Sequence, residues 1–178
     1  MMRNVAGAEH PRAGTRVDGR ARGERLAGFI YGTIVALSVV VAGAKAYPAS
    51  TGHVAVLVAV TTVVFWMAHV YSFSLAHSVA TNEHLSLGEV RSIARREAAI
   101  VGAAVPPVAV LVLGELGLFG ATTAYWAALG LGLVVLAATG ILFARIERLG
   151  VLATIVVVTV NVGLGVILMA LKVVVGHL

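Results

Sequence analysis

Apolar residues in this chain do not alternate with polar ones; they run in blocks. A helix on the surface of a soluble domain shows a polar face at every turn. Here stretches of about twenty residues, the length that crosses a bilayer as a helix, pass with scarcely a charge. Five blocks stand out, at residues 26–44, 53–77, 98–118, 121–143 and 150–175. The pattern predicts an all-α, polytopic integral membrane helical bundle of five transmembrane helices, forming one transmembrane domain over residues 26–178. Spans three and four are joined by only "GLFGAT", so they pair as an antiparallel hairpin.

The connections carry their own signals. Residues 1–25 are basic and lack an apolar core, which predicts a disordered cytoplasmic tail leading into a retained first helix. The segment 86–97 predicts a short helix lying at the membrane interface. Ser86 is its N-cap, and Glu89 has the capping-box spacing. Leu87, Val90, Ile93 and Ala94 would face lipid or protein, and Arg91, Arg95 and Arg96 would face water and anionic headgroups. In span three, Pro106-Pro107 removes two backbone donors and predicts a kink near residues 103–107.

Composition agrees with the pattern. Hydrophobic residues make up 60% of the 178 and charged ones 12%, with a mean hydropathy of +0.99. No cysteine is present, which excludes disulfides and thiol chemistry. The net charge of +5 does not point to nucleic acid, because the basic residues sit in the tail and loops. Arg3, Arg12, Arg16, Arg20, Arg22 and Arg25, the loop residues Arg91, Arg95 and Arg96, and Arg145 and Arg148 fall on one side of the five-span layout. Lys45 and Lys172 fall on the other, and these are all thirteen. The asymmetry predicts a cytoplasmic N-terminus and an outside C-terminus. Abundant Ala, Val and Gly, with Arg far exceeding Lys, point to a bacterial plasma membrane.

Soluble-enzyme motifs are missing: there is no phosphate loop, no dinucleotide fingerprint and no H-E-x-x-H. No carboxylate falls in the middle of a span, which argues against a carboxylate relay through the bilayer. The expectation is a protein that is not an enzyme and takes no cofactor and no metal. One apolar stretch, "VFWMAHVYSFSLAHS", nevertheless keeps a polar stripe. Thr62, Trp66, His69, Phe73 and His77 share one helical face. His69 and His77 are two turns apart, too far to ligate one ion together. His69 therefore needs a partner on another helix, either as a hydrogen bond that holds the bundle or as half of a functional site. Thr33, Ser38 and Asn161 are the other interhelical polar candidates, with Thr139 and Thr159 behind them. Gly28 and Gly32, Ala128 and Gly132, and Gly163 and Gly165 provide small surfaces for close helix approach.

Two pieces resemble the potassium channel family of lysosomes and bacteria, the transmembrane-protein-175 type. "RLAGFIYGTIVALS" matches the start of that family's first helix at Arg25 and Phe29, with Gly32 where a small residue belongs. "FWMAH" matches its W-x-x-H at Trp66 and His69. The family's Ser-Asp is replaced here by Ile30-Tyr31, and its six-span repeat compares with five spans. The resemblance implies a homo-oligomer with the first helix around an axial pore. Ile34, Leu37 and Val41 would then form a hydrophobic constriction, and Arg25, Phe29, Trp66 and His69 a helix-tying network.

Three functions follow in order of expectation. The first is an oligomeric channel, with inorganic cations and membrane lipids as partners. The second is a non-conducting membrane scaffold or assembly subunit. The third is a histidine-based metal or redox membrane protein.

Overall fold

A computed structural model describes residues 13–81 and 86–177. All regular structure among them is helical: α1 (Ala13–Ala46), α2 (Thr51–Thr81), α3 (Leu87–Glu97), α4 (Ala99–Gly102), α5 (Val105–Glu115), α6 (Ala121–Ile146) and α7 (Val151–His177). Three helical stretches are long and apolar enough to cross a membrane: Arg22–Ala46, Thr51–Ala80 and Ala121–Ile146. A fourth results if Leu87–Gly102 and Val105–Glu115, bent by 47°, count as one crossing. In α7 the described apolar run is Val151–Ile167.

The bend falls where the proline pair predicts it. Helix α4 ends at Gly102, and α5 starts at Val105 with prolines in its first turn, where their missing N–H groups cost nothing. One expectation needs correction. The tail 1–25 is not disordered throughout: α1 already begins at Ala13. Residues 1–12 lie outside the described residues. The segment 86–97 has its capping box, with Glu89 N–H donating to Ser86 Oγ (3.3 Å) and Ser86 N–H to Glu89 Oε2 (2.8 Å). The helix forms over Leu87–Glu97, and only Ile93 and Glu97 of it are buried. It runs back along α2 and passes through Ala98 almost directly into α4.

Helix α1 is the hub, packed against α2, α4, α6 and α7. Its Ala36, Leu37, Val40 and Val41 join Val54 and Val58 of α2, Leu111 of α5, and Tyr125, Leu129 and Leu136 of α6 in one buried core. Close approach depends on small residues. A Cβ on Gly132 would collide with the Leu37 side chain, and one on Gly32 would come within 2.9 Å of Ile100 Cα. Two helix ends share one geometry. At the end of α5, Gly117 (φ 82°) lets Leu118 N–H reach Leu113 O. At the end of α6, Arg148 takes the left-handed conformation (φ 51°), and Leu149 N–H reaches Ala144 O. Both are Schellman closures.

Candidate functional site

Among the described residues the polar contacts between helices gather at the two ends of the bundle. At the end where α1 and α2 are joined, the Glu115 carboxylate accepts from Gly52 N–H (2.7 Å) and Thr51 Oγ–H (3.0 Å). It thereby caps the first turn of α2, where unsatisfied donors favour an anion. Tyr125 Oη–H donates to Tyr47 O (2.6 Å), and the Tyr47 and His53 rings stack at 5.3 Å. These contacts tie the α1–α2 turn to α5 and α6. Nothing in the local sequence marks Glu115 as a cap for a helix so distant along the chain.

The other end holds the denser constellation. Arg96, at the end of α3, is placed between two carboxylates: Nη1 lies 3.3 Å from Glu24 Oε2 on α1, and Nε lies 3.6 Å from Glu97 Oε1. Its guanidinium also sits 5.8 Å above the Phe73 ring of α2, a cation–π distance. Glu97 is buried, whereas Glu24 and Arg96 are each more than a third exposed. Glu24, Gly28, Tyr31, His69, Phe73, Arg96 and Glu97 line a cavity of about 290 Å³. A neighbouring cavity of about 360 Å³ shares Glu24, Phe73 and Arg96 and adds His77 and Glu89, whose closest atoms are 3.9 Å apart. Glu89 is held below the ordinary carboxylate range, first by the Ser86 backbone N–H and then by the Ser86 hydroxyl.

The stripe on α2 separates into different roles. His69 lies against Tyr31 of α1, with ring centroids 5.0 Å apart, and Phe73 is 6.4 Å away. Its Nδ1 lies 3.2 Å from its own helix's Phe65 O. The helix that meets His69 is thus α1. Trp66 does not join it there: its Nε1–H donates to Ala94 O of α3 (3.0 Å). The Gly28–Gly32 face is filled by Ile100 of α4. Thr62 is fully buried and donates to Val58 O within α2 (2.6 Å).

Several sequence candidates sit elsewhere than expected. Arg25 is exposed and forms no ion pair among the described residues; the arginine that ties helices together is Arg96, and its partner on α1 is Glu24. Phe29 is half-buried and supplies its carbonyl to Thr33 Oγ1–H (2.8 Å). Thr33 and Ser38, expected to bond between helices, bond within α1, Ser38 to Val35 O at 2.7 Å. A hydroxyl one turn from a carbonyl of its own helix finds that acceptor before any neighbour's. Asn161 is buried beside Gly140 of α6, but its amide nitrogen has no partner among the described residues. Leu37 and Val41 are 1% and 7% exposed and belong to the core, with Ile34 packed against it. In this arrangement Leu37 and Val41 face other helices of their own chain.

Among the described residues no group of three or more His, Asp and Glu side chains is arranged to hold a metal ion. The Arg96 cluster can make ion pairs, hold a polar or charged headgroup, and fix α1 against α2 and α3. No known family, curated protein or solved structure matches the chain.

Proposed function

We propose that the chain is a non-conducting membrane scaffold or assembly subunit of a bacterial plasma membrane. It crosses the bilayer five times, with its N-terminus and the Arg96 cluster on the cytoplasmic side. The register of α2 against α3 supports a cytoplasmic boundary near His69, because Arg95, Arg96 and Glu97 neighbour that part of α2 and cannot enter hydrocarbon unaided. From Thr51 to His69 a helix rises about 27 Å, close to the thickness of the hydrocarbon core. Beyond it the end of α2, the start of α1 and α3 form a cytoplasmic cap. The positive-inside asymmetry supports the same orientation.

One observation carries the non-conducting reading: Leu37 and Val41, the residues best placed by sequence to constrict a pore, are in the core. The outward surface of α2 at Val56, Val60, Val63, Val64 and Met67 is apolar, which favours the same reading. An oligomeric cation channel would need its path elsewhere. The test is ion flux into liposomes holding the purified chain. The expected result is no K⁺, Na⁺, H⁺ or Cl⁻ flux above that of empty liposomes. Selective flux that disappears on heat inactivation would overturn the reading.

A further inference from the structure

On the side of α3 turned away from the Arg96 cluster, a groove of about 380 Å³ lies between α2 and α3. Its walls, including Trp66, Met67, Val70 and Val90, are almost wholly apolar. Ser74 is the exception. It is 8% exposed, yet its hydroxyl has no hydrogen-bond partner among the described residues. A helical hydroxyl ordinarily donates to the carbonyl a turn back, as Thr62 does. An unpaired hydroxyl facing an apolar groove is costly unless a ligand supplies an acceptor.

Two arginines of α3 lie close in sequence to the groove-lining Val90. Arg91 follows Val90 directly, and Arg95 stands one turn further along α3; both are exposed. Neither forms an ion pair among the described residues, while the acids nearest in sequence are engaged elsewhere, Glu89 by Ser86 and His77 and Glu97 by Arg96. With the hydrocarbon boundary near His69, Ser74 stands about a turn further out, at the depth of glycerol esters.

We propose that this groove seats an anionic phospholipid of the cytoplasmic leaflet. One acyl chain lies along Val70, Met67 and Trp66, an ester carbonyl accepts from Ser74 Oγ–H, and Arg91 and Arg95 supply the positive charge that attracts the phosphate. At about 1 kcal/mol each, two arginines at a membrane surface favour an anionic lipid over a zwitterionic one by about tenfold to thirtyfold. The inference rests on the membrane placement proposed above, not on the absence of conduction.

The test uses the full chain with Trp126→Phe, which leaves Trp66 as the reporter, in detergent micelles titrated with tail-brominated phosphatidylglycerol or phosphatidylcholine. Saturable quenching is expected, with phosphatidylglycerol about tenfold to thirtyfold tighter. Combining Arg91→Ala with Arg95→Ala should remove that preference while quenching by both lipids persists. Ser74→Ala should weaken both lipids about threefold, and glycerol phosphate alone should not compete. Equal affinity for the two lipids in the arginine-containing chain overturns the proposal and leaves the membrane placement standing. So does a preference that survives loss of both arginines. Competition by glycerol phosphate would make the site one for a soluble phosphate and also overturn it. Quenching by neither lipid sinks the placement of this end of α2 and the lipid site together.

Discussion

Arg96 of α3 reaches Glu24 of α1 at 3.3 Å while its Nε stays 3.6 Å from buried Glu97. The two carboxylates are not equivalent. Glu24 is half in water, and an exposed pair of this kind contributes about 0.2–1 kcal/mol. Glu97 is enclosed, so removing the arginine leaves its charge without compensation. Glu24→Gln should therefore cost about 0.5 kcal/mol, and Arg96→Ala about 2 kcal/mol, discounted for the exposure of the guanidinium. Adding Glu97→Gln to Arg96→Ala should recover most of the loss. Thermal unfolding in detergent reads all three; equal losses for Glu24→Gln and Arg96→Ala would contradict this account.

The two glycines of the G-x-x-x-G differ sharply. A methyl on Gly28 would find its nearest neighbour at 3.6 Å, an ordinary contact. A methyl on Gly32 would meet the backbone of Ile100, which cannot swing aside as a side chain can. Gly28→Ala should leave the melting temperature unchanged or raise it slightly. Gly32→Ala should destabilise by about 1–3 kcal/mol, the usual range for overpacking. Similar effects at both positions would mean that α4 does not lie on this face.

Asn161 tests whether a buried amide holds the bundle. Its nitrogen has no partner among the described residues beside Gly140, so the side chain bears a desolvation cost with no bond from them to offset it. Asn161→Leu, close in size, should be neutral or stabilising by up to about 1 kcal/mol. A loss of more than that in chemical unfolding would reveal an interhelical bond.

The left-handed helix end at Arg148 carries a penalty that Gly117 avoids. Arg148→Gly should stabilise by about 0.5–1 kcal/mol, and Gly117→Ala should destabilise by about 1 kcal/mol. Differential scanning of the two variants decides the matter, and a destabilised Arg148→Gly would show that its side chain contributes more than its backbone costs.

The start of α3 should be sensitive to acid. Glu89 is held below the ordinary carboxylate range by Ser86, so its capping contribution is complete above that range and is lost as pH falls through its lowered value. Protection of α3 amides, taken as exchange relative to the intrinsic rate at each pH, should fall on acidification below the ordinary range. Glu89→Gln keeps the capping geometry without a titrating group and should flatten that profile. A profile with the same pH dependence in the variant would assign the effect to another group.

What the sequence determined by itself was local. Unbroken apolar blocks demanded long helices, Ser86 and Glu89 demanded a capped start to α3, and Pro106-Pro107 demanded the bend between α4 and α5; each depends on residues within a few turns of one another. Tertiary structure alone decided the pairings. Glu115 serves Thr51 and Gly52, Arg96 joins Glu24, and His69 meets Tyr31, all between residues far apart in sequence. It also decided which side of α1 is the inside. Apolar residues surround that helix, so no periodicity separates a pore face from a core face. Only the small residue Gly132, opposite Leu37, admits the close contact that buries it.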